Sequence, residues 1–501
     1  MINKIKDDVL NGSEGTVSRS LTIIFFLVII GSTAIFITKI LFAIIHGSTF
    51  EGAAGVWTSL AVDFSKGIFY RPVFSESVGY GGTRYFPLSF SLQALFLRLT
   101  GKPILSGHLV SLLAGILLLV GCYLLLRLLG TGLLPALALS LALPASSSVQ
   151  FSLEGMRGDI LPLALNLFGF VFFLSKLPQK FSEILTALCF TLAFSAKITA
   201  IHGIVSLFLW LFLSGRKKEA LRILFITSAG YLIFLMILYY GTSGRIIEIF
   251  KVSSSAGTNF YTLGRAPFRF LNEVRFYDPV CLLLLFSTGV VVAFYKFKRV
   301  AVTLQGIFLG VSVLITVFIF GSPGVQFNHF VDVMAASLLL IGSTVFHNEF
   351  RNLRSLIFAY FVLIFISVAF TLTDLKQIVL NNETKTVCRN RIVDLIKQRE
   401  GPVISDNALF PIMAGRSSYI LDSFLFPFII RHDETLKAPL LRRIDQKEFS
   451  TIVKQAPLLK QDHLINKELD SDQFGFDMMN KVLSSYNEED RCGDFVVYAP
   501  R

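Results

Sequence analysis

Charge is what this sequence has least of: only 16% of its 501 residues are Asp, Glu, Lys or Arg, against 53% hydrophobic, and the mean hydropathy is +0.66. A chain this poor in polar side chains cannot cover a water-soluble globule of its size, so an ordinary soluble fold is excluded and lipid is the expected solvent. Tryptophan is scarce too, two residues against 50 phenylalanines; rings without a polar handle suit positions facing acyl chains. There are five cysteines. Cys122, Cys189 and Cys281 lie in apolar runs and read as small core residues. Cys388 and Cys492 both fall in the C-terminal tail, and spacing leaves open whether they pair. The sequence contains no P-loop, dinucleotide fingerprint, nucleophile elbow or metal-ligand spacing. It also lacks the internal repeat and paired Gly/Pro-broken helices expected of a secondary transporter.

What is present is a long apolar body, residues 20–373, followed by a tail, 374–501, that mixes acids and bases. The net charge of +12 therefore belongs to the body, where Lys and Arg punctuate apolar runs instead of clustering on one soluble face. Nucleic acid is not the expected partner. Runs at 21–45, 105–127, 130–148, 159–176, 182–196, 198–213, 221–240, 279–295, 300–320, 329–346 and 355–373 predict about eleven spans. Arg127, Lys176 and Lys180, Arg216 to Lys218 and Arg222, Lys296 to Arg299, and Arg351 and Arg354 all fall on one side, which makes that side and the N-terminus cytoplasmic and the tail extracytoplasmic. The segment Phe86–Leu99 breaks this pattern if it crosses, so it is expected to lie in the outer interface. The outer loop 46–104 is expected to carry juxtamembrane helices. The tail reads as a small α/β domain, with strands at Pro402–Ser405 and Phe495–Tyr498 and a helical stretch at Asp445–Lys454.

Ionisable residues at the membrane boundary are the candidates for chemistry. Glu51, beside Gly52, follows the first span. Arg157 and Asp159 open the 159–176 span, where an interfacial ion pair is the plainest reading. Lys197 lies between two short apolar runs on the outer side, against the positive-inside trend, and suggests an anionic partner such as a phosphate. Asn328, His329 and Asp332 follow a Gly-rich loop at a spacing that shares one helix face; an acid in a helix's first turn is also simply favourable there. Tyr70, Arg71 and Arg84 stand in the charged, aromatic outer loop.

In order along the chain, Glu51-Gly52, Lys66-Gly67 through Tyr70-Arg71-Pro72, Tyr85-Phe86-Pro87 opening a helix that ends at Gly101, Arg157-x-Asp159, Lys197-x-Thr199 and Asn328 to Asp332 resemble the GT-C superfamily of polyprenyl-phosphate-dependent glycosyltransferases. The likeness is to the bacterial branch, family 39-like, that is related to protein O-mannosyltransferases and the aminoarabinose lipid A transferase. The sequence departs from that pattern where a second acid or Gly usually accompanies the acid of the first loop, and at His108, where an Arg is frequent. The Trp-Trp-Asp-Tyr-Gly signature of oligosaccharyltransferases is absent, Trp57 and Trp210 being isolated, which argues against transfer of a whole glycan to asparagine.

The resemblance implies a polytopic α-helical GT-C membrane protein of the bacterial inner membrane, with a transmembrane catalytic domain over 1–373 and a soluble extracytoplasmic α/β domain over 374–501. It implies an inverting glycosyltransferase that moves a sugar from a polyprenyl-phosphate donor to a hydroxyl of a lipid, glycan or protein acceptor. Glu51 would be the general base, Arg157 and Lys197 would hold the donor phosphate, and Asp159, Tyr70, Arg71, Arg84, Asn328, His329 and Asp332 would orient these groups or line the cavity. One carboxylate suffices because a phosphate leaves as an anion without needing a proton, unlike the leaving group of a glycosidase. No cofactor is required, although relatives leave room for a divalent cation near Glu51 and Asp159. Two other readings stand beside this one: a transporter or lipid flippase with an outward-facing phosphate-binding cavity, and a non-catalytic scaffold whose tail binds a partner.

Overall fold

The computed structural model describes residues 52–255, 259–295, 302–345, 386–431, 433–455 and 476–501, with residue 300 and scattered positions between 31 and 42. The expected spans at 21–45 and 355–373 and the catalytic candidate Glu51 lie wholly or mostly outside these residues.

The body begins with α1 (Gly52–Ser65) and the short antiparallel pair β1 (Phe74–Ser75) and β2 (Gly79–Tyr80). Helix α2 (Pro87–Thr100) starts on a proline, which is pre-set for the first helical turn, and ends at Gly101, whose φ of 67° lets its N–H reach back to Leu97 O. At 14 residues, α2 is shorter than the roughly 20 needed to cross a bilayer upright. Next come α3 (Pro103–Leu128), α4 (Leu133–Ala142), α5 (Ser147–Glu154), α6 (Ile160–Leu174), α7 (Gln179–Ala196), α8 (His202–Leu213) and α9 (Lys217–Gly241). They are followed by α10 (Arg245–Ser255), α11 (Phe260–Tyr277), α12 (Pro279–Tyr295), α13 (Leu304–Ile319) and α14 (Val331–Val345). Among the described residues three helices are long and apolar enough to cross a membrane, or up to five if two bent pairs each count as one span. The pairs are α4 with α5, bent by 66°, and α11 with α12, bent by 114°. The chain is an integral membrane protein by this composition. Its core is a continuous Leu, Ala and Phe cluster from α3, α6, α8 and α14, while Ile116, Phe225, Leu232, Ile237 and Leu314 face outward, as lipid contact demands.

One buried acid holds both bends. Asp278, completely buried between α11 and α12, accepts from Ser146 Oγ at 2.7 Å, from Ser148 N at 3.0 Å and from Ser148 Oγ; its other oxygen takes Cys281 N at 3.0 Å. Lys39, buried at 6% exposure, bonds Gln150 and Glu154, each at 3.1 Å, and so ties the first helix to α5.

The tail contains α15 (386–397), α16 (Leu409–Met413), α17 (Phe426–Ile430), α18 (Glu434–Asp445) and α19 (Phe476–Ser485). They surround a four-stranded sheet of order β3-β4-β6-β5, where β3 is Val403–Ser405, β4 Thr451–Gln455, β5 Tyr486–Cys492 and β6 Phe495–Pro500. Strands β3 and β4 run parallel and the other neighbours antiparallel. The expected strands at 402–405 and 495–498 are present. The expected helix at Asp445–Lys454 is not: α18 ends at Asp445, and Thr451-Ile452-Val453 form β4, because β-branched side chains buried on both sides suit a central strand. Cys388 of α15 and Cys492 of β5 form a disulfide across a Cα separation of 5.3 Å.

The tail is not tethered only by its linker. Val73 and Tyr80 of the outer loop are buried in the tail's own core with Phe426, Ile452 and Val496. Tyr80 N donates to Tyr419 O at 2.7 Å and Leu421 N to Tyr80 O at 3.0 Å.

Candidate active site

The site forms where four chain segments meet: the α5–α6 turn, the α7–α8 turn, the loop before α14, and the end of the outer loop. The α5–α6 turn is held close to α1 because Gly158 lies against the indole of Trp57, where a Cβ would come within 2.5 Å of the ring. Asp159 follows and is almost fully buried. One carboxylate oxygen receives Lys197 Nζ at 2.5 Å, and the other receives Asn328 Nδ2 at 2.7 Å. The same ammonium lies 3.1 Å from His329 Nδ1. An ammonium has only protons to offer, so Nδ1 is the acceptor and the ring proton sits on Nε2. Lys197, the residue at which α7 ends, is thereby held by α6 and by the turn into α14, with a third N–H left to point elsewhere.

Two guanidinium groups join this centre. Arg157 lies 4.1 Å above the Phe151 ring and donates to Gln326 Oε1 at 3.0 Å. Arg84 lies 4.2 Å above the Phe424 ring and donates to Pro323 O at 3.4 Å. The buried Tyr85 hydroxyl is pushed up to about 12 by burial first and then by Asp422, with Arg157 and Arg84 opposing, so these groups share one neighbourhood. The Asp422 carboxyl is raised by burial, against the pull of Arg84. The tail covers one side: Gly324, at φ 71°, leaves room for Phe424, whose ring carbon would lie 2.4 Å from any Cβ there.

The remaining candidates fall in two places. Asp332 lies one turn deeper, its Oδ1 3.9 Å from His202 Nδ1. Tyr70 and Arg71 belong to the joint between outer loop and tail. Tyr70, at φ 58°, donates to Tyr85 O at 2.8 Å. Arg71 grips both oxygens of Asp63, at 2.5 and 2.8 Å, and donates to Val78 O and Ser418 O. Sequence reasoning did not single out Asp63, Lys39, Asp278 or His202. Among the described residues no group of three His, Cys, Asp or Glu is placed to hold a metal ion. Each oxygen of Asp159 takes one donor, an ammonium and an amide.

The arrangement of helices is shared with solved structures. Over 93% of this chain and 97% of the other, it superposes on ArnT from Cupriavidus metallidurans bound to undecaprenyl phosphate, with a TM-score of 0.59 and 14% identity. The apo state of that protein gives a TM-score of 0.55 over the same shares. The apo form of the Archaeoglobus fulgidus oligosaccharyltransferase gives 0.51 at 12% identity, over 86% of this chain and 69% of that one. The fold is the one that these structures share. No protein-family model and no curated protein sequence matches the chain, so the GT-C likeness is carried by backbone arrangement and by the motifs in their order.

Proposed function

We infer that this GT-C chain is an inverting glycosyltransferase of the bacterial inner membrane, which moves a sugar from a polyprenyl-phosphate donor to an acceptor hydroxyl on the outer face. The observation that carries the reading is the Lys197 ammonium held on Asp159 and His329, with the Arg157 and Arg84 guanidinium groups close enough to act on the same His329 ring, on segments far apart in sequence. Cations gathered at a lipid boundary against the positive-inside trend suit a lipid-borne phosphate. That the ArnT structure of the same fold holds undecaprenyl phosphate supports the same donor class.

In this reading Glu51, immediately before α1, takes the proton of the acceptor hydroxyl as its oxygen attacks the anomeric carbon. The bond from that carbon to the phosphate oxygen breaks, its electron pair leaves with the phosphate, and polyprenyl phosphate is released. Lys197 and Arg157 neutralise the charge that grows on the leaving oxygen, and Arg84 completes the cradle. Asp159 and His329 aim the Lys197 ammonium. The tail, seated on the loop before α14, roofs the acceptor side. About eleven spans, a cytoplasmic N-terminus and an extracytoplasmic tail follow from the charge pattern.

The test is donor turnover in membranes containing the full chain, supplied with a polyprenyl-phosphate hexose and envelope extract as the source of acceptor. Wild-type protein releases polyprenyl phosphate, and Glu51→Gln, equally expressed and folded, does not. Equal turnover by both, or none by the wild type, overturns the reading.

A further inference from the structure

Segments 197–202 and 328–332 run side by side, closed at one end by Lys197 and His329 at 3.1 Å and at the other by His202 and Asp332. Between these contacts, Thr199 Oγ1, both ring nitrogens of His202 and Asn328 Oδ1 are covered and make no hydrogen bond among the described residues. His202 and Asn328 are each only 3% exposed. A buried polar atom without a partner destabilises the fold that holds it, and here several gather in one place. The gap between His202 Nδ1 and Asp332 Oδ1, 3.9 Å, is too long for a hydrogen bond. A hydroxyl oxygen about 2.8 Å from each atom bridges it, donating to the carboxylate and accepting from the ring.

We propose that His202, Asp332, Asn328 and Thr199 form a subsite that reads the hydroxyl groups of a neutral sugar ring on the donor. This rests on the function inferred above and names its sugar class. Asp332 and Asn328 Oδ1 only accept, while Thr199 and the neutral imidazole both accept and donate, which is the complement of a ring bearing several hydroxyls. A uronic acid would bring its carboxylate against Asp332 and is rejected. The subsite lies beside Lys197, so a phosphate held by that ammonium places the attached ring over these atoms. His202 and Asp332 thus act in specificity, without touching the proton that moves.

The test is binding by the full chain in lipid nanodiscs, with undecaprenyl phosphate alone and with undecaprenyl phosphate carrying glucose, galactose, mannose or glucuronic acid. Wild-type protein binds at least one neutral glycoside about tenfold or more tighter than the bare lipid phosphate, and the glucuronide no tighter. Asp332→Asn and the isosteric Thr199→Val narrow that gap to about threefold or less and leave affinity for bare undecaprenyl phosphate unchanged; Asp332→Asn also gains affinity for the glucuronide. Thr199→Val alters no charge and little volume, so it serves if Asp332→Asn fails to fold. Variants that keep the full gap, or that weaken bare and glycosylated lipid equally, overturn the subsite and leave the enzyme reading standing. A wild-type protein that does not bind undecaprenyl phosphate overturns both.

Discussion

Two ion pairs in this protein have the same length and opposite characters. In the joint between outer loop and tail, Arg71 meets Asp63 at 2.5 Å with both side chains at most 3% exposed, and two backbone carbonyls accept from Nη1. At the mouth of the bundle, Lys197 meets Asp159 at the same 2.5 Å, but the lysine side chain is 22% exposed and a third N–H remains to it. A pair shut off from water and held by four hydrogen bonds locks a joint. A pair whose cation keeps a donor and has two guanidinium groups for neighbours is arranged for something that arrives later. The difference lies in burial and surroundings, which no distance between the two charges reports.

The contrast breaks most visibly at Lys197. Lys197→Ala lowers sugar transfer by about 10²–10³-fold and, because Asn328 still donates to Asp159, costs less stability than the loss of Arg71; initial rates and thermal melts on the same detergent-solubilised sample decide it, and a fall in the midpoint as large as that of Arg71→Ala would erase the distinction. Arg71→Ala does the reverse. It strands Asp63 in a buried site and costs about 3–5 kcal/mol, seen as a lowered midpoint while turnover per folded molecule stays near wild type. Arg71→Lys sharpens the point, since a point charge cannot replace a two-pronged grip, and most of the destabilisation remains. Reducing the Cys388–Cys492 bridge, which closes a separation of 104 residues, weakens the tail by about 2–5 kcal/mol; protection of β5 and β6 in hydrogen exchange falls before that of the helical body.

A further effect is one of pH. Asp406, at the end of β3, has its carboxyl pushed up to about 7, chiefly by burial, although Gln455 N donates to it. Its folded value lies above the ordinary one, so the folded state holds the proton longer. Stability from this group is complete at acid pH, falls as pH rises from about 4 to about 7, and is level above that. Asp406→Asn flattens that slope in melts of the full chain, and an unaltered slope would place the titration elsewhere.

Much of this was legible in the sequence. Apolar runs marked α2 to α4, α6 to α9 and α12 to α14, though not α1, α5, α10 or α11, and Pro87 and Gly101 marked the ends of α2, because a span must be continuous and apolar whatever it packs against. Bends were hidden for the same reason: α4 and α5 are apolar enough to read as one span and the start of a loop, and only Ser146 and Ser148 meeting Asp278 set the angle between them. Lys197, Asp159 and Asn328 stood out as costly charges or polar groups at a boundary. Lys39 carried the same signal inside the first run, and Asp278 sits just before Pro279 at a span's start. Asp63 was silent, since its partner is chosen by the path of a loop, and β4 was misread because strand identity came from the neighbours that bury it.

The bond from Arg71 to Ser418 joins residues 347 positions apart. At about 5–20 residues per second of synthesis, Arg71 leaves the ribosome on the order of tens of seconds before its carbonyl exists. The loop that carries Arg71 therefore waits, hydrated and unfinished, until the segment around Ser418 has been made and delivered to the same side. A chain cut short before Ser418 can insert its helices, but it has no means of closing the joint above them, so assembly of this protein ends where its sequence began.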